Sequence, residues 1–204
     1  MDYNTLNAQI RSYANRNDDF FISQIPNFIN QGINRIYSEG RGVGFQSIVQ
    51  GNLTANNPLL AKPANWKETI SLSIIVNNNA VFLLERVYET IKALWPNVTL
   101  TSTPKYYAER SYNSFYLAPT PDAVYPFSLT FKTTPLFDAT HTTNFLTDRY
   151  PNLLFYSCMI EAMPFLKDDE RLPNFDKLYK EALQDMNNDA LSTHSDRTTQ
   201  GEKY

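Results

Sequence analysis

The chain has 204 residues, 13 tyrosines, 13 phenylalanines, one cysteine and a formal net charge of −3. That length supports a sizeable core without disulfide or metal staples, and the slight acidity excludes a groove that grips phosphate with clustered Lys and Arg. Cys158 has no internal partner, so no oxidising compartment is required, and no basic-then-apolar segment follows Met1, so no secretory leader is expected.

Tyr3 to Ala14 reads as a short helix with Leu6, Ile10 and Tyr13 on one side. Asn15, Asn17, Asp18 and Asp19 break it. Ile25 to Ser38 is a clearer helix, with Ile25, Phe28, Ile29, Gly32, Ile33, Ile36 and Tyr37 at helical spacing. Pro26 stands just inside its start and Gly40 just past its end. Gly32, on the apolar face, is either a site where a second backbone comes close or a tolerated defect in the helix. Arg41 to Pro63 has little pattern and reads as one or two strands within loops. Gly42, Gly44 and Gly51 do not make a phosphate loop, because no Gly-Lys-Ser/Thr follows.

From Trp66 the period becomes two. Ile70, Leu72 and Ile74 alternate with Thr69, Ser71 and Ser73, a half-buried strand. Asn77-Asn78-Asn79 is a turn, since Asn tolerates a left-handed backbone, and Ala80 to Leu84 returns as the partner strand. Tyr88 to Trp95 is a helical segment stopped by Pro96. Tyr106 to Ala108 and Tyr112 to Ala118 are short strands. Tyr125, Phe127, Leu129 and Phe131 give the strongest strand alternation, and Pro126 assigns that strand an edge or an early position for the proline.

A polar loop, Asp138 to Asn144, leads to Pro151–Leu166, which leaves almost no polar face: only Ser157 and Glu161 interrupt it. A helix apolar all round is buried on all sides. It would reach only ~24 Å at ~1.5 Å per residue, short of the ~30 Å hydrocarbon slab, so it is expected at the centre of a bundle and not in a membrane. Pro164 should kink or end it. Lys167 to Arg171 is a charged linker. Pro173 to Met186 is amphipathic, with Phe175, Leu178, Tyr179, Ala182, Leu183 and Met186 on one face. Beyond Leu191 the chain is too polar to fold alone.

Helices at both ends and strands between them predict an α+β protein. The expected division is a discontinuous helical bundle, residues 1–40 and 144–191, a β-rich insertion of sandwich or barrel type at 41–143, and an extended C-terminal arm at 192–204.

No catalytic, metal or cofactor constellation emerges. His141 and His194 lack partners at metal-ligand spacing. Asp168-Asp169-Glu170 suits the start of the following helix. Cys158 lies in the most apolar stretch, where a thiol is inert. Glu161 on a buried helix must be paired. Arg35, Arg149 and Arg171 are the candidate partners, or the residue faces a neighbouring subunit; the structural pair carried forward is Glu161 with Arg149. Trp66, Tyr106, Tyr107 and Tyr112 form a candidate β-domain interface. They would either stack on a sugar or fill the sheet and the subunit contact.

Several ordered stretches carry more. Asp2-Tyr3, Leu6, Ile10, Ile25-Pro26-Asn27-Phe28-Ile29 and Arg35-Ile36 come first. Glu85-Arg86-Val87-Tyr88-Glu89, Leu94-Trp95-Pro96 and Pro104-Lys105-Tyr106-Tyr107-Ala108 follow, then Leu117-Ala118-Pro119-Thr120-Pro121-Asp122-Ala123-Val124-Tyr125-Pro126-Phe127. Thr143-Asn144-Phe145-Leu146-Thr147, Pro151-Asn152-Leu153-Leu154 and Glu161 to Arg171 complete the set. Together they resemble the head-to-tail adaptor proteins of tailed bacteriophages, the tail tubular protein A-like family, from about Asp2 to Leu191.

The resemblance implies a virion neck component, assembled in the host cytoplasm, that forms a dodecameric ring under the portal protein. Helical bundles would build the ring, β insertions would meet the tail or nozzle protein, and DNA would pass through the lumen without specific binding. It implies no catalysis, no cofactor and no membrane. It also makes Ser192 to Tyr204, with Ser192, His194, Arg197 and Tyr204, the candidate portal-contact arm. The alternative from a different class is a receptor- or carbohydrate-binding tail component that uses the β-domain aromatics.

Overall fold

The computed structural model describes residues 1–41, 43–168 and 170–194. The protein is α+β and divides into two compact units, Met1–Phe45 with Thr134–Tyr204 and Gln46–Thr133.

The first unit is helical. α1 (Tyr3–Ala14) begins where the Asp2 carboxylate accepts the Thr5 N–H at 2.7 Å and ends at Asn15 in the left-handed region. α2 (Asp19–Glu39) starts six residues before the expected Ile25. The polar run that closes α1 also opens α2, because Asp18 accepts the Phe21 N–H at 2.9 Å. Pro26 therefore lies inside α2 and not in its first turn. α4 (Phe145–Arg149) fills the gap between the expected loop, Asp138 to Asn144, and the central helix, held by a capping box between Asn144 and Thr147. α5 (Pro151–Leu166) has the predicted bounds and ends two residues after Pro164, at Lys167 in the left-handed region. α6 (Leu172–His194) is longer than its apolar stripe implied.

α5 touches α1, α2, α4 and α6. Leu153, Leu154, Cys158, Met159, Ala162 and Met163 are essentially inaccessible, so the all-round apolar sequence finds cover on every side. Where α5 meets α2, a Cβ on Gly32 would fall 2.7 Å from Ser157 Oγ and 3.0 Å from the Cys158 nitrogen. Only glycine permits that approach.

The second unit holds two four-stranded sheets. β1 (Gln46–Asn52), β3 (Glu68–Val76), β4 (Asn79–Phe82) and β8 (Pro126–Lys132) form the first, in the order β1-β8-β3-β4, all antiparallel. β2 (Leu59–Ala61), β5 (Leu84–Glu85), β6 (Tyr106–Ser111) and β7 (Ser114–Ala118) form the second, in the order β2-β7-β6-β5, with β5 parallel to β6. Leu72, Ile74, Leu129 and Phe131 from the first sheet share a core with Leu60, Tyr107, Phe115 and Leu117 from the second, so the sheets pack face to face as a sandwich. α3 (Tyr88–Leu94) covers the other face of the second sheet, where Ile91 meets Ala108, Tyr116 and Ala118.

Two details settle readings left open by the sequence. Pro126 opens β8, which is a central strand, so the early position holds and the edge does not. Asn77 and Asn78 both have positive φ and form a two-residue turn between β3 and β4. After β4 the chain changes sheets at one residue. The buried Leu83 donates its N–H to Leu72 O at 2.8 Å, and Leu84 donates to Lys105 O at 3.0 Å.

Candidate functional site

In the helical unit the only acidic residue of α5 is paired. Arg35 on α2 donates from Nε to Glu161 Oε1 at 2.7 Å, and its Nη2 lies 2.6 Å from the same oxygen. The expected partner Arg149 does not take part. It ends α4, before α5 begins at Pro151, and Glu161 lies ten residues, ~15 Å, further along the α5 axis. Arg171 is held by Asp168 and the Tyr13 carbonyl. The network continues through Glu39, whose Oε1 is 3.8 Å from Arg35 Nη1 and whose Oε2 accepts the Tyr179 hydroxyl at 2.9 Å. Four side chains thus tie α2, α5 and α6 together. Burial pulls the Arg35 guanidinium down, but its bonds to Glu161 and the charges of Glu161 and Glu39 outweigh that, and it titrates above its ordinary value.

Two predictions arise from this network. Arg35→Met strands a carboxylate that is only one-fifth exposed. It should lose about 1–2 kcal/mol in urea unfolding, since water still reaches part of the site. Arg35→Met with Glu161→Met should recover most of that, because the second change removes the stranded charge. The second prediction concerns alkali. Burial and then the bond to Glu39 push the Tyr179 hydroxyl well above 10, and burial and then Glu85 do the same for Tyr107. Below about pH 10 neither state of the chain loses these protons. Above it the unfolded tyrosines ionise and the folded ones do not, so stability should fall as pH rises from 10. Tyr179→Phe should flatten that fall in a pH series of denaturant midpoints.

The β-unit aromatics do not share one surface. Adjacent strand residues point to opposite faces, so Tyr107 enters the sandwich core while Tyr106 stands on the other face against Trp95, ring centroids 5.2 Å apart. Trp66 packs on the core beside Phe115, and Lys62 Nζ lies 3.5 Å from its ring centroid. Tyr112 alone is open, 92% exposed in the β6–β7 turn. A flat stacking platform of these four residues is not formed.

Several of the other titratable groups are occupied by their neighbours. The Cys158 thiol is fully buried and pushed up to about 12 by that burial, which leaves no thiolate for attack. His141 Nδ1 sits 3.2 Å from Asp138 Oδ1, in a turn where the Thr140 hydroxyl and the backbone N–H groups of His141 and Thr140 hold the Asp138 carboxyl far below its ordinary value. Glu85 accepts the Tyr107 hydroxyl at 3.2 Å and Glu109 faces Lys62 at 3.1 Å. Both carboxylates line an open groove of about 970 Å³ beside α3, together with Arg86, Glu89 and Arg110. Its walls carry both signs. Among the described residues no group of three or more His, Cys, Asp and Glu gathers as a metal site, and no helix is long and apolar enough to cross a membrane. α6 carries Ser192 and His194 in its last turn, while Arg197 and Tyr204 lie outside the described residues.

The groupings above are scaffold contacts: an ion-pair network between helices, a cation over an aromatic ring, a capped turn. Several large apolar side chains also stay open, among them Ile48 and Phe82 on strands of the first sheet, Phe20 on α2 and Val87 just before α3. A family model described as SU10 adaptor protein matches residues 1–201. No curated protein matches the chain.

Proposed function

The chain belongs to the SU10 adaptor protein family, a family of phage adaptors, and from that premise we propose that it is a structural head-to-tail adaptor. In this reading copies of the chain form a ring, with twelve the expected number, between the portal protein above and the tail or nozzle protein below. DNA passes through the lumen without specific contact, and the role is mechanical and not catalytic. The observation that carries the reading is the match of one adaptor family model to nearly the whole chain, across both compact units.

The physical features support it. A ring requires two different matching faces on each subunit, and exposed apolar side chains occur in both units, Tyr13 and Phe20 in one and Ile48 and Phe82 in the other. A formal charge of −3 disfavours adsorption of a phosphate backbone to the lumen wall. The segment Ser192 to Tyr204 is the proposed portal-contact arm; α6 carries its first residues, Ser192 to His194, and Arg197 and Tyr204 lie outside the described residues.

The test is assembly on the portal. Purified portal rings mixed with this protein should give a heavier particle in sedimentation and an added ring in electron micrographs. Deletion of residues 195–204 should weaken that binding. A protein that stays monomeric and leaves both portal and tail proteins unbound would overturn the reading.

A further inference from the structure

The two ends of the first sheet differ from those of the second in a way that folding alone does not require. Natural proteins blunt sheet edges with short strands, prolines and charges, because an open edge invites pairing with another chain. The second sheet follows that rule. Its edge strand β2 has three residues between Pro58 and Lys62-Pro63, and its edge strand β5 has two, ending in Glu85-Arg86. The first sheet does not. Its edges are β1, Gln-Ser-Ile-Val-Gln-Gly-Asn, and β4, Asn-Ala-Val-Phe, with no charge and no proline in either.

The hydrogen-bond phase of each edge can be read. Leu53 donates its N–H to Tyr125 O, and the register steps from there by pairs, so Gly51, Val49 and Ser47 face β8. Ile48 and Gln50 then present N–H and C=O outward. On the other side Leu83 donates to Leu72 O, so Val81 faces β3, and Ala80 and Phe82 present theirs outward. The strand directions alternate from β1 through β8 and β3 to β4. A further β1 laid beside β4 would continue the alternation.

We propose that β1 of one copy pairs antiparallel with β4 of the next, extending the first sheet from subunit to subunit. The inference rests on the ring reading above and names the surface that would build part of that ring. The register is Ile48 opposite Phe82, Val49 opposite Val81 and Gln50 opposite Ala80. It joins the outward backbone groups of Ile48 and Gln50 to those of Phe82 and Ala80. It also sets Ile48 beside Phe82, each 63% exposed in the free chain, on one face, and Val49 beside Val81, 36% and 38% exposed, at the rim of the core on the other. A shift by two residues keeps the hydrogen bonds but loses both apolar pairs. The occupant is a second copy, because the two edges complement each other in direction, hydrogen-bond phase and side chain. The contact is also head-to-tail, using different strands on the two partners, and such contacts close into rings or run on as filaments.

Opposed residues that do not exchange hydrogen bonds lie about 4.5 Å apart at Cα, within disulfide range. In the proposed register Val49 and Val81 are such a pair. The double variant Val49→Cys/Val81→Cys, mixed with portal rings and oxidised, should give a ladder of covalent multimers on a non-reducing gel. Each single cysteine variant should remain monomeric under the same treatment. Cys158 is buried and supplies no background. As a second variant, Ala80→Pro removes an outward N–H without breaking the β3–β4 ladder. It should abolish the added ring while circular dichroism and melting temperature match the parent chain. A covalent dimer from Val49→Cys alone would mean a two-fold β1–β1 contact and would overturn the proposal. So would rings that form on the portal with neither cross-linking nor sensitivity to Ala80→Pro; that outcome leaves the adaptor reading intact. A parent chain that neither assembles nor binds portal ends both.

Discussion

Replacing Gly32 with leucine is expected to unfold the helical unit. The position lies on α2 where its backbone meets α5, and even one added carbon would sit 2.7 Å from Ser157 Oγ and 3.0 Å from the Cys158 nitrogen. The first contact involves a short side chain already committed to the Leu154 carbonyl at 2.8 Å. The second is backbone and cannot swing aside. Gly32→Ala therefore sets a helix-propensity gain of about 1 kcal/mol against an overpacking cost of about 1–3 kcal/mol, and the cost should win. Gly32→Leu has no compensating space and should exceed 3 kcal/mol, a large share of the roughly 5–15 kcal/mol that holds a typical domain. The helical circular-dichroism signal at room temperature is the measurement. Ser157→Ala in the Gly32→Ala background should return part of the loss, since it removes the nearer of the two obstacles. A Gly32→Leu protein with parental stability would show that the two helices can separate freely at this point.

The largest expected effect in the β unit comes from Phe115→Ala, at about 3–5 kcal/mol. Phe115 is fully buried on β7, with Trp66 and Tyr107 edge-on at 5.8 and 5.6 Å and Lys62 Nζ 4.9 Å from its ring. Truncation opens a cavity between the sheets. It also strips one aromatic wall from a lysine whose side chain is only 2% exposed. Lys62→Met is the informative contrast. Methionine keeps the apolar stem and its packing, and Glu109, 43% exposed, can hydrate when it loses its partner. That variant should stay within about 1 kcal/mol of the parent. Both tryptophans, Trp66 and Trp95, belong to this unit, so urea titrations followed by fluorescence report on it directly. If Lys62→Met proves the costlier of the two, the ion pair and not the aromatic packing holds this part of the sandwich.

The sequence reading succeeded where one segment carried its own signal. α1 and α5 appear with the predicted bounds, because a capped amphipathic run and an all-round apolar run are local patterns. The alternation over Tyr125 to Phe131 became β8 for the same reason. It failed where one stretch had two roles. Asn15 to Asp19 was legible as a break, yet Asp18 within it is the cap that starts α2. The Asn144–Thr147 box starts a helix of only five residues, and the long apolar run just behind it dominates the pattern of that stretch. Partners across the chain left no local trace. Glu161 needed a cation, but Arg35, 126 positions away, is identified only by the packing of α2 on α5. Likewise the alternation at Tyr106-Tyr107 guarantees opposite faces without saying which one meets the second sheet's partner.

The passage through Leu83 has a mechanical consequence. One short run of chain is hydrogen-bonded to Leu72 in the first sheet and, a residue later, to Lys105 in the second. A sideways tug on the rim at Phe82 is therefore shared between both layers at once. Lifting that hairpin away must unzip two ladders and extract a greasy rivet together, so the unit should stretch as a laminate and resist peeling one ply at a time.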